Sequence, residues 1–364
     1  MVTNMDSSIF YNVWDEYEEG YPFYIMIGGR RMGKTYSALE GLIDKKEDFI
    51  FMRRTKDQMD SITDSPKGEG LNPFQYLNKD RDWKYGFTRQ TAKVSRIHWR
   101  EQDEDGIWHA EGRPLGYGLS LSTIATIKGI SAESCNYMVY DEFIKEPHEK
   151  PIKAEAQAFF SAYDTLCSAR EIAGQKPIIC FLLANSTDIY NPILQELGIV
   201  PDAEKLSLVL DGEKGKHPKG VVKKFPERGL KLCILEMSEQ LRAARARSAI
   251  MRLTAGTKYN EMALNNNFSY NDMALCGHKP IKGWRPVCQI DNCWMYAKKG
   301  SPELYFCYAR GSVTEHFNLE LLHDQIEFKR SYGMMIADRF PKGAVYFESY
   351  ELKAKILTTI IGVR

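Results

Sequence analysis

At 364 residues, with 43% hydrophobic and 27% charged side chains, the chain has apolar material for more than one core, and two domains are expected. With 49 basic against 48 acidic residues, any surface for a polyanion must come from local segregation rather than net charge. No apolar run approaches the ~18 residues of a membrane span, and the acidic start MVTNMDSSIFYNVWDEYEEG lacks the pattern of a secretory leader. A soluble protein with no membrane role is expected, and eight scattered cysteines suit a reducing cytoplasm.

The first predicted element is a short buried strand, Tyr24-Ile25-Met26-Ile27, that runs into Gly28-Gly29-Arg30-Arg31-Met32-Gly33-Lys34-Thr35. That octet fits the phosphate-binding pattern G-x-x-x-x-G-K-[ST]. Glycines let successive N–H groups curl towards phosphate oxygens, Lys34 brings a charge to the β- and γ-phosphates, and the Thr35 hydroxyl offers one position on Mg²⁺. A helix from Thr35, with Ala38, Leu39 and Leu42 inward, adds its N-terminal dipole. Gly28 through Tyr36 are therefore candidate ATP contacts. Strand Phe49–Met52 follows and leads into Arg53-Arg54. A hairpin is expected from Val94–Arg100, the acidic turn 101–106 and Ile107–Gly118.

The run Asn136-Tyr137-Met138-Val139-Tyr140-Asp141-Glu142 reads as a strand ending in two carboxylates. Asp141 is placed to hold Mg²⁺, and Glu142 to act as general base or to orient the attacking water. A helix is expected over 152–169, then a strand, Pro177–Ala184, ending in Asn185. Asn185 reads equally as a γ-phosphate sensor or as a turn-forming asparagine. Arg30 and Arg31, inside the loop, could reach the γ-phosphate or a neighbouring subunit, or pair with an exposed carboxylate. Arg170, after the helix, is a second candidate finger, acting in trans across a head-to-tail ring interface. Basic residues crowd 214–258, a density that suits sequence-blind phosphate contact or a solvated face. Cys276, His278, Cys288 and Cys293 raise zinc, but no tight C-x-x-C pair accompanies them.

The ordered set Ser8-Ile9-Phe10-Tyr11-Asn12, Gly28–Thr35, Phe49–Arg54, Tyr140-Asp141-Glu142-Phe143-Ile144, Asp164-Thr165 with Arg170-Glu171, Ala184-Asn185 and Asn191-Pro192 resembles the genome-packaging ATPases of small tailed phages with protein-capped linear double-stranded DNA. Gly256–Leu264 to Phe268 is similar to that family's linker region. The resemblance implies an α/β P-loop NTPase fold of the ASCE type at 1–236, with helices on both faces of a parallel sheet. A helical linker at 237–270 and a small α+β, RNase H-like C-terminal domain at 271–364 would follow. It also implies a homopentameric ring that takes ATP and Mg²⁺, docks on the portal of an empty capsid in the host cytoplasm, and pumps viral DNA inward. A scaffold RNA is a further candidate partner. Lys128 falls where the family's pore-facing lysine lies, and Lys56 is another candidate for touching DNA. The turn Cys167–Glu171 carries one arginine, Arg170, where the family has several.

In the C-terminal part, strands are expected at 287–290, 293–297, 304–309 and 344–347. Asp291 is the only acid placed suggestively on an early strand, short of the converging carboxylates a two-metal nuclease needs. The domain therefore reads as a vestigial nuclease fold used for docking. A terminase with a live nuclease and a nucleotide-switched scaffold are the competing readings.

Overall fold

The computed structural model describes residues 9–64, 71–124, 134–146, 149–185, 189, 191–213, 215–257, 260, 264 and 276–361. The chain divides into two compact units, Met1–Ser269 and Tyr270–Arg364.

In the first unit the strands are β1 (Phe23–Gly28), β2 (Phe49–Arg53), β3 (Thr63–Asp64), β4 (Tyr85–Arg89), β5 (Ser95–Gln102), β6 (Trp108–Ser120), β7 (Tyr137–Asp141), β8 (Ile179–Asn185), β9 (Val221–Phe225) and β10 (Leu230–Ile234). The helices are α1 (Lys34–Asp44), α2 (Lys56–Ile62), α3 (Gln75–Arg81), α4 (Leu121–Ile124), α5 (Glu155–Ile172), α6 (Pro192–Glu196), α7 (Val200–Gly212), α8 (Glu239–Ala246) and α9 (Ala249–Leu253). The strands form one sheet in the order β3-β4-β5-β6-β2-β7-β8-β1-β10-β9. From β6 to β10 every neighbouring pair is parallel, while β4–β5, β5–β6 and β9–β10 are antiparallel. Buried apolar and aromatic side chains run almost without interruption through β1, β2, β7 and β8, as strands covered on both faces require.

Alternation along β1 shows what covers each face. Tyr24 and Met26 pack with Ala38, Leu39 and Leu42 of α1, whereas Phe23 and Ile25 line a cavity with Phe159 and Tyr163 of α5. The expected inward residues of α1 are all fully buried. Ahead of β1, a 3₁₀ turn at Val13–Glu16 sets Trp14 edge-on to Tyr137 and Phe181 and hydrogen-bonds its indole Nε1 to the Ser37 carbonyl at 2.9 Å. Position 41 must be glycine here, because a Cβ would lie 2.0 Å from that same indole nitrogen.

At the C-terminal end of β2 two arginines part company. Arg54, fully buried, gives Nε and Nη2 to the two oxygens of Glu155 at 2.6 and 3.0 Å and Nη1 to Glu149 at 2.8 Å. Gln58 of α2 donates to the other Glu149 oxygen at 2.6 Å. This buried network ties β2 and α2 to the segment that follows β7.

The second unit is a five-stranded sheet, β14 (His316–Phe317), β11 (Trp284–Ile290), β12 (Cys293–Lys298), β13 (Leu304–Cys307) and β15 (Val345–Phe347), in that spatial order. β11–β12–β13 is an antiparallel meander, and β14 and β15 flank it in parallel. Helices α10 (Leu322–Phe328), α11 (Met334–Arg339) and α12 (Tyr350–Ile361) add Phe328, Ile336 and Ile356 to a core with Cys288, Met295 and Phe306.

Removing Glu155 strands most of a buried guanidinium charge. Glu155→Ala should lower unfolding free energy by about 3–5 kcal/mol, and adding Arg54→Met should recover much of that loss, both read by urea denaturation.

Candidate nucleotide and metal site

The strand order places β8 between β1 and β7, and their registers align Gly28 with Asn185 and Leu183 with Asp141. The glycine loop, Asn185 and Asp141 therefore sit side by side at the carboxyl ends of parallel strands, where open α/β sheets take ligands. Gly33 turns the loop into α1 at φ +97°, and no side chain caps that helix. Its first N–H groups are left pointing into the loop, a ready anion site.

Lys34 is almost fully buried and donates to the carbonyls of Gly28 and Gly29 at 3.0 and 2.8 Å, so its ammonium is held in the curl of the loop. Burial lowers its pKa to about 8, the Asp141 and Glu142 charges oppose that shift, and Arg245 adds to it. The Thr35 hydroxyl donates to both Asp141 oxygens at 3.0 and 3.1 Å. A hydroxyl and a carboxylate so placed are the hard-oxygen pair that Mg²⁺ accepts beside phosphates, so the residues present fit that ion.

Glu142 follows at φ +56°, a left-handed backbone that a non-glycine residue holds at a cost of roughly 1–3 kcal/mol. Its carboxylate pairs with Arg53, which also reaches Asp141 at 3.2 Å. Burial raises the Glu142 carboxyl, Arg53 pulls it down and Asp141 pushes it up again. Arg53 was named in the sequence only as the end of a strand. Its position at the carboxyl end of an expected buried strand, where open α/β sheets take ligands, is the one signal that pointed to it.

Other expected residues fall as follows. Arg30 pairs with Glu146 at 2.7 Å. Arg31 stands exposed at φ +63°. Met32 is buried and takes the Tyr11 N–H on its carbonyl at 2.8 Å, while Tyr36 gives its hydroxyl to Asp80 at 3.3 Å. Arg170, expected to act in trans, lies away from its own chain's site. It is nearly buried and donates to the Cys135 carbonyl at 2.6 Å and to Asn136 Oδ1 at 3.0 Å, before β7 begins. At about 3.3 Å per residue, that is on the order of 15 Å from Asp141. Lys56 opens α2, half-exposed, and shares Asp60 with Arg89. Lys128 and most of 256–268 lie outside the described residues.

The basic stretch also differs from expectation. Lys219 pairs with Asp15, Lys223 with Asp202, and Lys224 and Lys231 with Glu18. Arg228 donates to Leu197 O, Arg242 to Leu264 O and Arg245 to Arg30 O. Much of its charge is thus answered within the chain, and density alone no longer argues for a polyanion there. In the second unit, Asp291 accepts the Leu319 N–H at 2.8 Å and pairs with Lys355 at 2.7 Å. Among the described residues no three His, Cys, Asp or Glu side chains gather as a metal site.

No protein-family model matches the chain. It is 25% identical over 269 residues to the DNA packaging protein of Bacillus phage phi29, covering 72% of this chain and 67% of that one. The same figures hold for Bacillus phage PZA, and the Bacillus phage B103 protein gives 25% over 270 residues. The chain is a relative of phage DNA packaging proteins. Its fold is shared with a chain of the bacteriophage phi29 viral genome packaging motor assembly, at TM-score 0.58 and 18% identity over 97% of this chain and 99% of that one. The phi28 DNA packaging motor gives TM-score 0.52 and 19% identity over 98% of each.

A lysine poised near pH 8 makes anion binding proton-linked. Because burial lowers the Lys34 pKa and a bound polyanion would raise it, ATP affinity should weaken as pH rises from 7 to 9. Titration calorimetry across that range checks this, and Lys34→Ala should flatten the dependence.

Proposed function

We propose that this chain is the ATP-hydrolysing subunit of a homo-oligomeric ring that drives double-stranded viral DNA into a capsid through its portal. The observation that carries the reading is the Thr35–Asp141 contact beside Lys34, with Glu142 one residue further, in a relative of phage DNA packaging proteins. The strand order, with β8 between the loop strand and the Asp141 strand, supports a P-loop NTPase of the ASCE type. The β11–β12–β13 meander with β14 parallel to β11 supports an RNase H-like second unit, from which β15 at the opposite edge departs. With Asp291 committed to Leu319 and Lys355, we read that unit as a docking domain without a nuclease centre.

In this reading the loop amides and Lys34 hold the β- and γ-phosphates of the substrate. Thr35 and Asp141 would hold Mg²⁺, which supplies charge neutralisation across the phosphate oxygens. Glu142 orients the attacking water and takes its proton. The Arg53 ion pair withholds that carboxylate, so Arg53 must turn away before Glu142 can work. Asn185, beside Gly28, contacts the terminal phosphate. Arg31, exposed in the loop, and Arg170, which would serve the adjacent subunit's site on leaving Cys135 and Asn136, are the two finger candidates. Lys56 and Lys128 touch DNA. Five subunits, a scaffold RNA and a place at the portal vertex in the host cytoplasm complete the proposal.

The test is ATP turnover with and without double-stranded DNA. DNA should raise the rate, and a chain that hydrolyses no ATP in either condition overturns the motor. Lys34→Ala should lose nucleotide affinity. Glu142→Gln should keep ATP bound while hydrolysis falls by about 10²–10⁴.

A further inference from the structure

The stretch 214–258 was singled out for its basic density, yet the arginines of α8 turn inward. β10 lies parallel to β1, and beyond its end the Leu235 N–H donates to Ile27 O at 2.8 Å. Leu235 also packs on Gly28, where a Cβ would come within 2.8 Å of it. The chain leaving β10 therefore runs alongside the start of the glycine loop. Ser238 then caps α8, accepting from Leu241 N at 3.3 Å and donating to Ile9 O at 2.8 Å. Two turns of helix from that anchor bring Arg245 to the loop, where Nη1 donates to the Arg30 carbonyl at 2.9 Å. Arg242, three residues earlier, instead donates to Leu264 O and reaches Glu236.

We propose that Arg245 is a further nucleotide-binding residue, a second cation for the terminal phosphate of a nucleoside triphosphate held by the loop. This rests on the reading of the loop as a nucleotide site. A guanidinium is a planar fork of five donors, so it can brace a loop carbonyl with one nitrogen and meet a phosphate oxygen with another. The Arg30 carbonyl that Arg245 holds belongs to the same loop whose Gly28 and Gly29 carbonyls hold Lys34, so the two cations are fixed to one loop. Arg242 links the same helix to Leu264, so filling the loop would be felt along α8 and at that contact.

The affinities of Arg245→Ala for β,γ-imido-ATP and for ADP, both with Mg²⁺, test this by titration calorimetry. Triphosphate affinity should fall about tenfold or more, the worth of a charge-assisted hydrogen bond, while ADP affinity changes by less than about threefold. Arg245→Lys, which keeps the charge and guards against a misfolded alanine variant, should retain most of the discrimination. Arg242→Ala should leave the ATP-to-ADP ratio unchanged. Equal losses for both nucleotides would mean that Arg245 only braces the loop, and that outcome overturns the proposal, as does no loss at all. Wild-type protein that binds neither nucleotide would instead remove the nucleotide reading of the loop itself.

Discussion

Successive residues of a strand face opposite ways, and at the tip of β2 that alternation falls on two arginines. Arg53 reaches across to the carboxylates that end β7, and Arg54 sinks into a buried bond with Glu149 and Glu155. The segment after β7 is thereby fixed at two points by one dipeptide. Anything that shifts Arg53 pulls on a backbone whose next residue is locked by buried hydrogen bonds. The same β2 terminus opens α2 through the Thr55–Gln58 capping box, so the element carrying Lys56 is anchored at that point too.

Charge here is organised in short circuits rather than fields. Lys56 and Arg89 share Asp60, Arg30 takes Glu146, Lys219 takes Asp15, and the lysines of β9 and β10 close on Glu18 and Asp202. Exposed pairs of this kind contribute little stability each, so the value of the circuits lies in position. At the glycine loop, Lys34 is instead buried against the Gly28 and Gly29 carbonyls, with the Asp141 and Glu142 charges near it.

Much of the site was legible because its chemistry is written in local spacing. The loop, the Asp141-Glu142 ending and the hairpin at 95–120 each depend on residues close in sequence. What local spacing cannot show is which distant group answers a charge. Lys224 meets Glu18 across 206 residues, so a basic run looked like a polyanion surface. Arg53 looked like the polar end of a strand because its partners belong to β7. Arg170 could be placed by sequence at the end of a helix, but its bonds to Cys135 and Asn136 could not be read there. Asp291 looked chemical and proved to hold a turn, through Leu319 and Lys355.

Among the described residues, the sheet of the first unit ends on one side at β3 and on the other at β9. Open edges invite addition of a strand from another copy, the first step of uncontrolled polymerisation. At β9, Lys223 and Lys224 are held in pairs with Asp202 and Glu18, so a strand added at that edge would have to displace or cover ion-paired side chains. In a chain proposed to work as one of several identical copies, an edge occupied by ion pairs disfavours joining those copies sheet to sheet.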